Sequence, residues 1–98
     1  MTIELLTIEE FNGKVGNAFT IDESDFPAVE LILIEAKALP NFVKAPREPF
    51  SLLFTSQGVG VLPQRQYTLR HAALGPRPFF LVPIGQKDEI VTYQAIFN

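Results

Sequence analysis

From Gly16 to the end of the chain, short apolar blocks follow one another, each cut off by a cluster containing Pro, Gly, Asn or Asp. Phe19 and Ile21 alternate with Ala18, Thr20 and Asp22. Then come Val29 to Glu35, Phe50 to Thr55, Gln64 to Ala72, Phe79 to Ile84 and Ile90 to Phe97. β-branched and aromatic residues dominate these runs, which suits a pleated, half-buried surface. Six strands in 98 residues leave no room for the helices that connect parallel strands. The pattern therefore predicts an all-β, mainly antiparallel fold. It is a small barrel or a two-sheet sandwich, in a single domain spanning 1–98.

One short helix is expected ahead of the strands. Thr7 is a capping residue, Glu10 closes a capping box three positions later, and Glu9 and Glu10 sit where the helix dipole favours acids. Gly13 and Gly16 limit this helix to about two turns, with Ile8 and Phe11 docking it on the layer beneath.

Two strands show a clean wet side. Tyr67, Leu69 and His71 share one face against Gln66, Thr68 and Arg70, and Val91, Tyr93, Ala95 and Phe97 share another against Thr92 and Gln94. Leu31 to Ile34, Leu52-Leu53 and Phe79 to Val82 instead put apolar side chains on both faces. A barrel interior uses only one of those faces. The helix is the single internal element available to cover the other, so a partner or a second copy of the chain is expected over the remainder.

Prolines punctuate the strands. Pro49 is expected to open one, Gly75-Pro76-Arg77-Pro78 to form a turn before Phe79, and Pro83 to mark an edge or a bulge. Pro49 to Leu53 and Pro78 to Val82 echo each other, and each precedes a strand centred on a tyrosine, Tyr67 or Tyr93. The echo reads as coincidence or as a duplicated hairpin.

Charge and composition exclude several functions. The chain is 47% hydrophobic with a mean hydropathy of +0.18, too apolar for a disordered segment. It has no Cys and one His, so disulfides, thiolate nucleophiles and the common zinc ligand sets are ruled out. A net charge of −3 argues against nucleic acid as a partner. Met1 to Gly13 carries Glu4, Glu9 and Glu10 without a basic residue, so no secretory signal is expected, and no run is long enough to span a bilayer. The expectation is a cytoplasmic protein with no membrane partner. Residues 1–36 hold eight acids against Lys14, a net of −7, and residues 37–98 hold seven bases against Glu48, Asp88 and Glu89, a net of +4. The two halves are expected to pair within the domain, with head-to-tail stacking of copies as the alternative.

Little in the sequence points to chemistry. His71 is the one side chain that ordinarily titrates near neutrality, but Ser24, Ser51 and Ser56 stand in no nucleophile motif beside it. It reads as a partly buried strand-end histidine. Asp22-Glu23-Ser24-Asp25 lacks the spacing and mid-loop Gly of a calcium loop and reads as a solvated acidic turn. Gly58-Val59-Gly60 has no following helix and reads as a hairpin tip. Arg65, Arg70 and Arg77 around Tyr67 are too sparse for a nucleic-acid face. No catalytic, cofactor-binding or metal residue is assigned, no cofactor is expected, and the protein reads as a non-enzyme.

Pro49 to Phe54, Leu62-Pro63-Gln64, Tyr67, His71, Leu74-Gly75, Phe80 to Gly85 and Tyr93 to Asn98 stand in an order that resembles a family of bacterial proteins of about 100 residues, known only as a domain of unknown function. The resemblance covers about half the chain. It implies a compact β-domain, sometimes accessory to phage-derived, tail-collar-like proteins, and brings no reaction or cofactor with it. Together these readings point to a protein-interaction or assembly module whose partner is itself, as a homodimer, or another protein. A carrier of a small apolar ligand inside a β-barrel is the alternative.

Overall fold

The computed structural model describes residues 6–23, 29–42, 44, 48–57 and 60–97. A four-residue helix α1 (Glu9–Asn12) is followed by six strands: β1 (Ala18–Ile21), β2 (Glu30–Ala38), β3 (Phe50–Gln57), β4 (Arg65–His71), β5 (Gly75–Lys87) and β6 (Ile90–Phe97). All neighbours are antiparallel, and the order β1-β2-β3-β6-β5-β4 closes on itself through β1 and β4. The fold is thus an all-β barrel, and the sandwich alternative falls away. β3 pairs with β2 and β6 rather than with β4, so the echo between Pro49 to Leu53 and Pro78 to Val82 is no duplicated hairpin.

Period-two patterning sets what faces inward. Phe19, Leu31, Leu33, Phe50, Leu52, Phe54, Tyr67, Leu69, Phe79, Leu81 and Tyr93 are essentially inaccessible and fill the interior. At the β2 bulge the register slips between Leu33 and Glu35, leaving Ile34 outside and turning Ala36 back toward the core. A second slip between Pro83 and Gly85 fulfils the expectation of a bulge at that proline. The segment joining β3 to β4 is tied to the core by two tyrosines: Leu62 N–H donates to Tyr93 Oη at 2.8 Å, and Tyr67 Oη donates to the Pro63 carbonyl at 2.6 Å.

Two expectations need correcting. Gly75-Pro76-Arg77-Pro78 is not a turn but the first part of β5, and the turn lies at Ala72 to Leu74, closed by the His71↔Gly75 pair. Pro76 and Pro78 alternate along β5, opposite Arg70 and Thr68. With no N–H to give, they fit the positions whose hydrogen-bonding side turns away from β4. On that other side the ladder to β6 begins only at Val82↔Gln94, so no bond is lost. Gly75 supplies the φ of +69° that a three-residue hairpin loop ends on.

The helix also does a different job from the one expected. It is one turn long, and half of the capping box forms: Thr7 N–H donates to Glu10 Oε2 at 3.3 Å. It leaves the strands' outer faces bare and docks Phe11 into the core instead. That ring lies 5.8–6.4 Å from the rings of Phe19, Phe50, Phe79 and Phe97. Phe79 and Phe97 meet edge to face at 5.7 Å, where β5 and β6 have no ladder between them. Phe11 therefore plugs the seam.

Two substitutions test this account. Phe11→Ala should cost about 3–5 kcal/mol in urea unfolding, although it removes one ring from a one-turn helix. Gly75→Ala should cost about 1 kcal/mol even though a Cβ there meets no atom within 4 Å, because the strain lies in the backbone. Gly13→Ala has the same space without a positive φ and should be close to neutral.

Candidate functional site

The chain's charge asymmetry is resolved within the barrel at the β1–β4 junction. Asp22 Oδ2 accepts from Arg70 Nε at 3.0 Å and Nη2 at 2.5 Å. Glu23 Oε1 accepts from Arg65 Nη2 at 2.7 Å, and its Oε2 from the Thr68 N–H at 2.8 Å. The Arg65 hydrogen bond, then the Thr68 N–H, hold the Glu23 carboxyl below its ordinary value. Arg65 also lies over the Tyr67 ring at 4.0 Å. Burial raises the Tyr67 hydroxyl. Two acids of the N-terminal half are thus neutralised by two arginines of the C-terminal half, as the intramolecular reading expected. Arg65 and Arg70 are paired with carboxylates in this arrangement. Ser24 and Asp25 of the acidic turn, and Gly58-Val59 of the proposed hairpin tip, lie outside the described residues. Among the described residues, no three His, Asp or Glu side chains cluster as a metal site would require.

His71 is buried at the end of β4 with its ring 4.7 Å from that of Phe19. The Ala73 N–H donates to Nδ1 at 3.0 Å, which makes that nitrogen an acceptor and places the ring proton on Nε2. Nε2 then donates to Asn17 Oδ1 at 2.9 Å. Both nitrogens are occupied, so the neutral ring is fully satisfied and neither Ser51 nor Ser56 is bonded to it. Burial first, and the charge of Lys14 second, lower its pKa from the ordinary 6.5. The unfolded chain therefore holds this proton more tightly than the folded one. The contribution to stability is complete above about pH 6.5 and is lost as pH falls toward the lower folded value. Melting temperature should drop between neutral pH and mild acid, and His71→Asn should flatten that slope.

The outer surface is more unusual. Residues 50–57, 79–86 and 90–97, which make up β3, β6 and most of β5, contain no charged side chain. These strands lie side by side, with Leu53 opposite Gln94 and Gln94 opposite Val82. Phe80, Ile84 and Ile96 are each about half exposed on this surface (49%, 51% and 51%), and Ile34 stands out beside it at the β2 bulge. Barrels ordinarily present polar and charged residues outward, so a neutral, partly apolar wall across three strands is a departure. The two-faced strands named from sequence account for Ile34, Leu53, Phe80 and Val82. Ile84 and Ile96 were missed, and the absence of charge from three whole strands was the signal that could have found them.

A groove of about 290 Å³ opens at the rim of the same wall, lined by Val29, Glu30, Ile32, Thr55, Ser56, Gln57 and Ile90. The β2–β3 ladder reaches only Ile32↔Thr55 at this end, while β3 continues along β6 to Gln57↔Ile90. The groove occupies the parting between those strands. Ser56, 4% exposed, is its buried polar residue, and its Oγ has no hydrogen-bond partner.

With this geometry in place, the family described as a domain of unknown function (DUF6916) matches residues 6–97. The chain belongs to that family. The match takes in α1 and all six strands, so the family is defined over the whole barrel and not over a part of it. Searches of curated proteins and of solved structures found no match. Among the described residues, no helix is long and apolar enough to cross a membrane.

Proposed function

We propose that this protein is a non-enzymatic interaction module that self-associates through the outer wall of β5, β6 and β3. The observation that carries the reading is the charge-free wall with Phe80, Ile84 and Ile96 half exposed on it. Depletion of charge at the centre of a patch, with a polar rim, is what distinguishes an interface from ordinary surface. Here the rim is supplied by Glu35 and Lys37 on β2 and Lys87 at the end of β5.

A second copy is the favoured occupant on two grounds. The wall offers no charge for a charged partner to complement, whereas it suits its own image. The half-exposed side chains supply roughly 400 Å² of apolar surface. Two copies face to face, with their rims, reach the ~1,000 Å² that a specific interface needs. Along the part of β5 that β6 leaves unpaired, Pro76 and Pro78 cannot donate to an added strand, which favours face packing over edge pairing. An accessory place beside a phage-derived, tail-like assembly is compatible with such a module, and it rests on the family resemblance. Carriage of a ligand inside the barrel has less support, since phenylalanine, leucine and tyrosine side chains fill the interior.

Sedimentation velocity at micromolar concentration tests the reading. A mass of twice 10.9 kDa that falls on dilution is expected. Phe80→Asp with Ile96→Asp should give a monomer with unchanged circular dichroism. A wild-type protein that stays at 10.9 kDa at every concentration overturns it.

A further inference from the structure

The charge-free wall carries a polar side chain at its middle. β6 is the central strand of the three, and its outward Ile90, Thr92, Gln94 and Ile96 alternate with the inward Val91, Tyr93 and Ala95. Gln94 stands opposite Leu53 of β3 on one side and Val82 of β5 on the other, with Ile96 next to it along the strand. These neighbours offer its amide nothing to bond. The wall's other polar groups are placed differently. Thr55 and Thr92 face each other across the β3–β6 ladder and can pair within the chain. Ser51 is buried, and the Gln86 amide donates to the Asp88 carbonyl at the turn. Among the described residues, no hydrogen bond engages the Gln94 side chain.

On a free surface such an amide is bonded to water. Face packing of two copies takes that water away, and an amide shut off without a partner is unfavourable. A carboxamide has one acceptor oxygen and an NH2 donor, so it is complementary to itself. In a two-fold dimer, a side chain on the axis meets its own image. Two Gln94 side chains placed there donate to each other's oxygen. Displaced sideways, each amide lies against the partner's Leu53 or Val82. Displaced along β6 it meets Ile96, or competes for a Thr92 hydroxyl that Thr55 already faces. The apolar side chains around it set no such condition and pack in many alignments.

We propose that Gln94 is the specificity-determining residue of the dimer: the two-fold axis passes over it, and the reciprocal amide pair fixes the one alignment in which the two walls meet. The inference rests on the self-association reading and adds to it the point of the wall that lies at the centre. A polar residue in such a place lowers affinity and gives a unique alignment in return, as a single asparagine does in a coiled coil.

Filtered nuclear Overhauser spectra of dimers mixed from one nitrogen-labelled and one carbon-labelled copy test it. The Gln94 Nε2 protons of the first copy should show cross-peaks to the Gln94 side-chain protons of the second. Gln94→Leu should keep the dimer mass, with an equal or lower Kd, but split or broaden the amide signals of β3, β5 and β6 as several alignments coexist. Gln94→Glu brings two carboxylates together. Its Kd should rise at least about tenfold near neutral pH and fall again in mild acid, where one carboxyl takes up a proton. Circular dichroism of each variant checks that the barrel is intact. A wild-type monomer at every concentration overturns self-association, and this inference with it. A stable dimer whose Gln94 amide protons reach only other residues of the partner overturns the role of Gln94 alone. So does a Gln94→Leu dimer with one set of sharp signals, or a Gln94→Glu dimer of unchanged affinity at neutral pH.

Discussion

The barrel depends on one cluster of phenylalanine rings that sits where its hydrogen-bonded wall is incomplete. β5 is shared between two neighbours: its first part pairs with β4 up to Leu81, and its second part pairs with β6 from Val82 onward. Where it leaves β6, no backbone ladder holds the two strands together. Phe79 and Phe97 meet there edge to face, Phe50 stacks on Phe97 at 4.7 Å, and Phe11 enters from the helix to touch all three. Side-chain packing takes over from hydrogen bonding along that seam. The same seam explains the alternating prolines, because Pro76 and Pro78 can sit in a strand whose far side has no ladder to break. A helix of one turn has little stability of its own. Here it persists because its single buried ring is needed.

Much of this was legible in the sequence, and the failures are instructive. Period-two alternation located all six strands, and it placed Tyr67, Leu69, His71, Val91, Tyr93 and Ala95 on the buried side. Gly75-Pro76-Arg77-Pro78 misled because turn propensity is local, whereas a proline's fitness in a strand depends on which side its missing N–H faces. That side is fixed only when the neighbours are known. The bulges were half visible. Pro83 announced one, but nothing in Leu31 to Ile34 marks Ile34 as the residue that slips. The unbonded hydroxyl of Ser56 could not be read at all, since it depends on which groups the closed barrel brings near it.

Ion pairing within the barrel also changes how the acidic and basic halves of the chain should be understood. Asp22 and Glu23 leave β1 beside β4, and closure through the β1–β4 ladder brings them to Arg70 and Arg65. The Asp22–Arg70 pair is exposed and adds little stability, whereas the Glu23–Arg65 pair is partly buried. Their consequence is electrostatic: opposite charges that would favour head-to-tail stacking are matched inside one molecule. Two such pairs reduce the imbalance between the halves without abolishing it.

Inward positions are occupied by Phe, Leu and Tyr, and the connection after β3 is tied across them by the Tyr67 and Tyr93 hydroxyls. An apolar ligand entering that space would have to displace side chains packed at crystal-like density, at a cost comparable to a core substitution. His71, the side chain best suited to proton transfer, has both nitrogens engaged and a ring held neutral by burial. The outer surface is uneven. β4 turns charged and neutral polar side chains outward, whereas β3, β6 and most of β5 present none that is charged. Since both kinds of strand share the same filled core, the core's needs do not explain the difference. The selective loss of charge from adjoining strands is a property of the surface, set independently of the core.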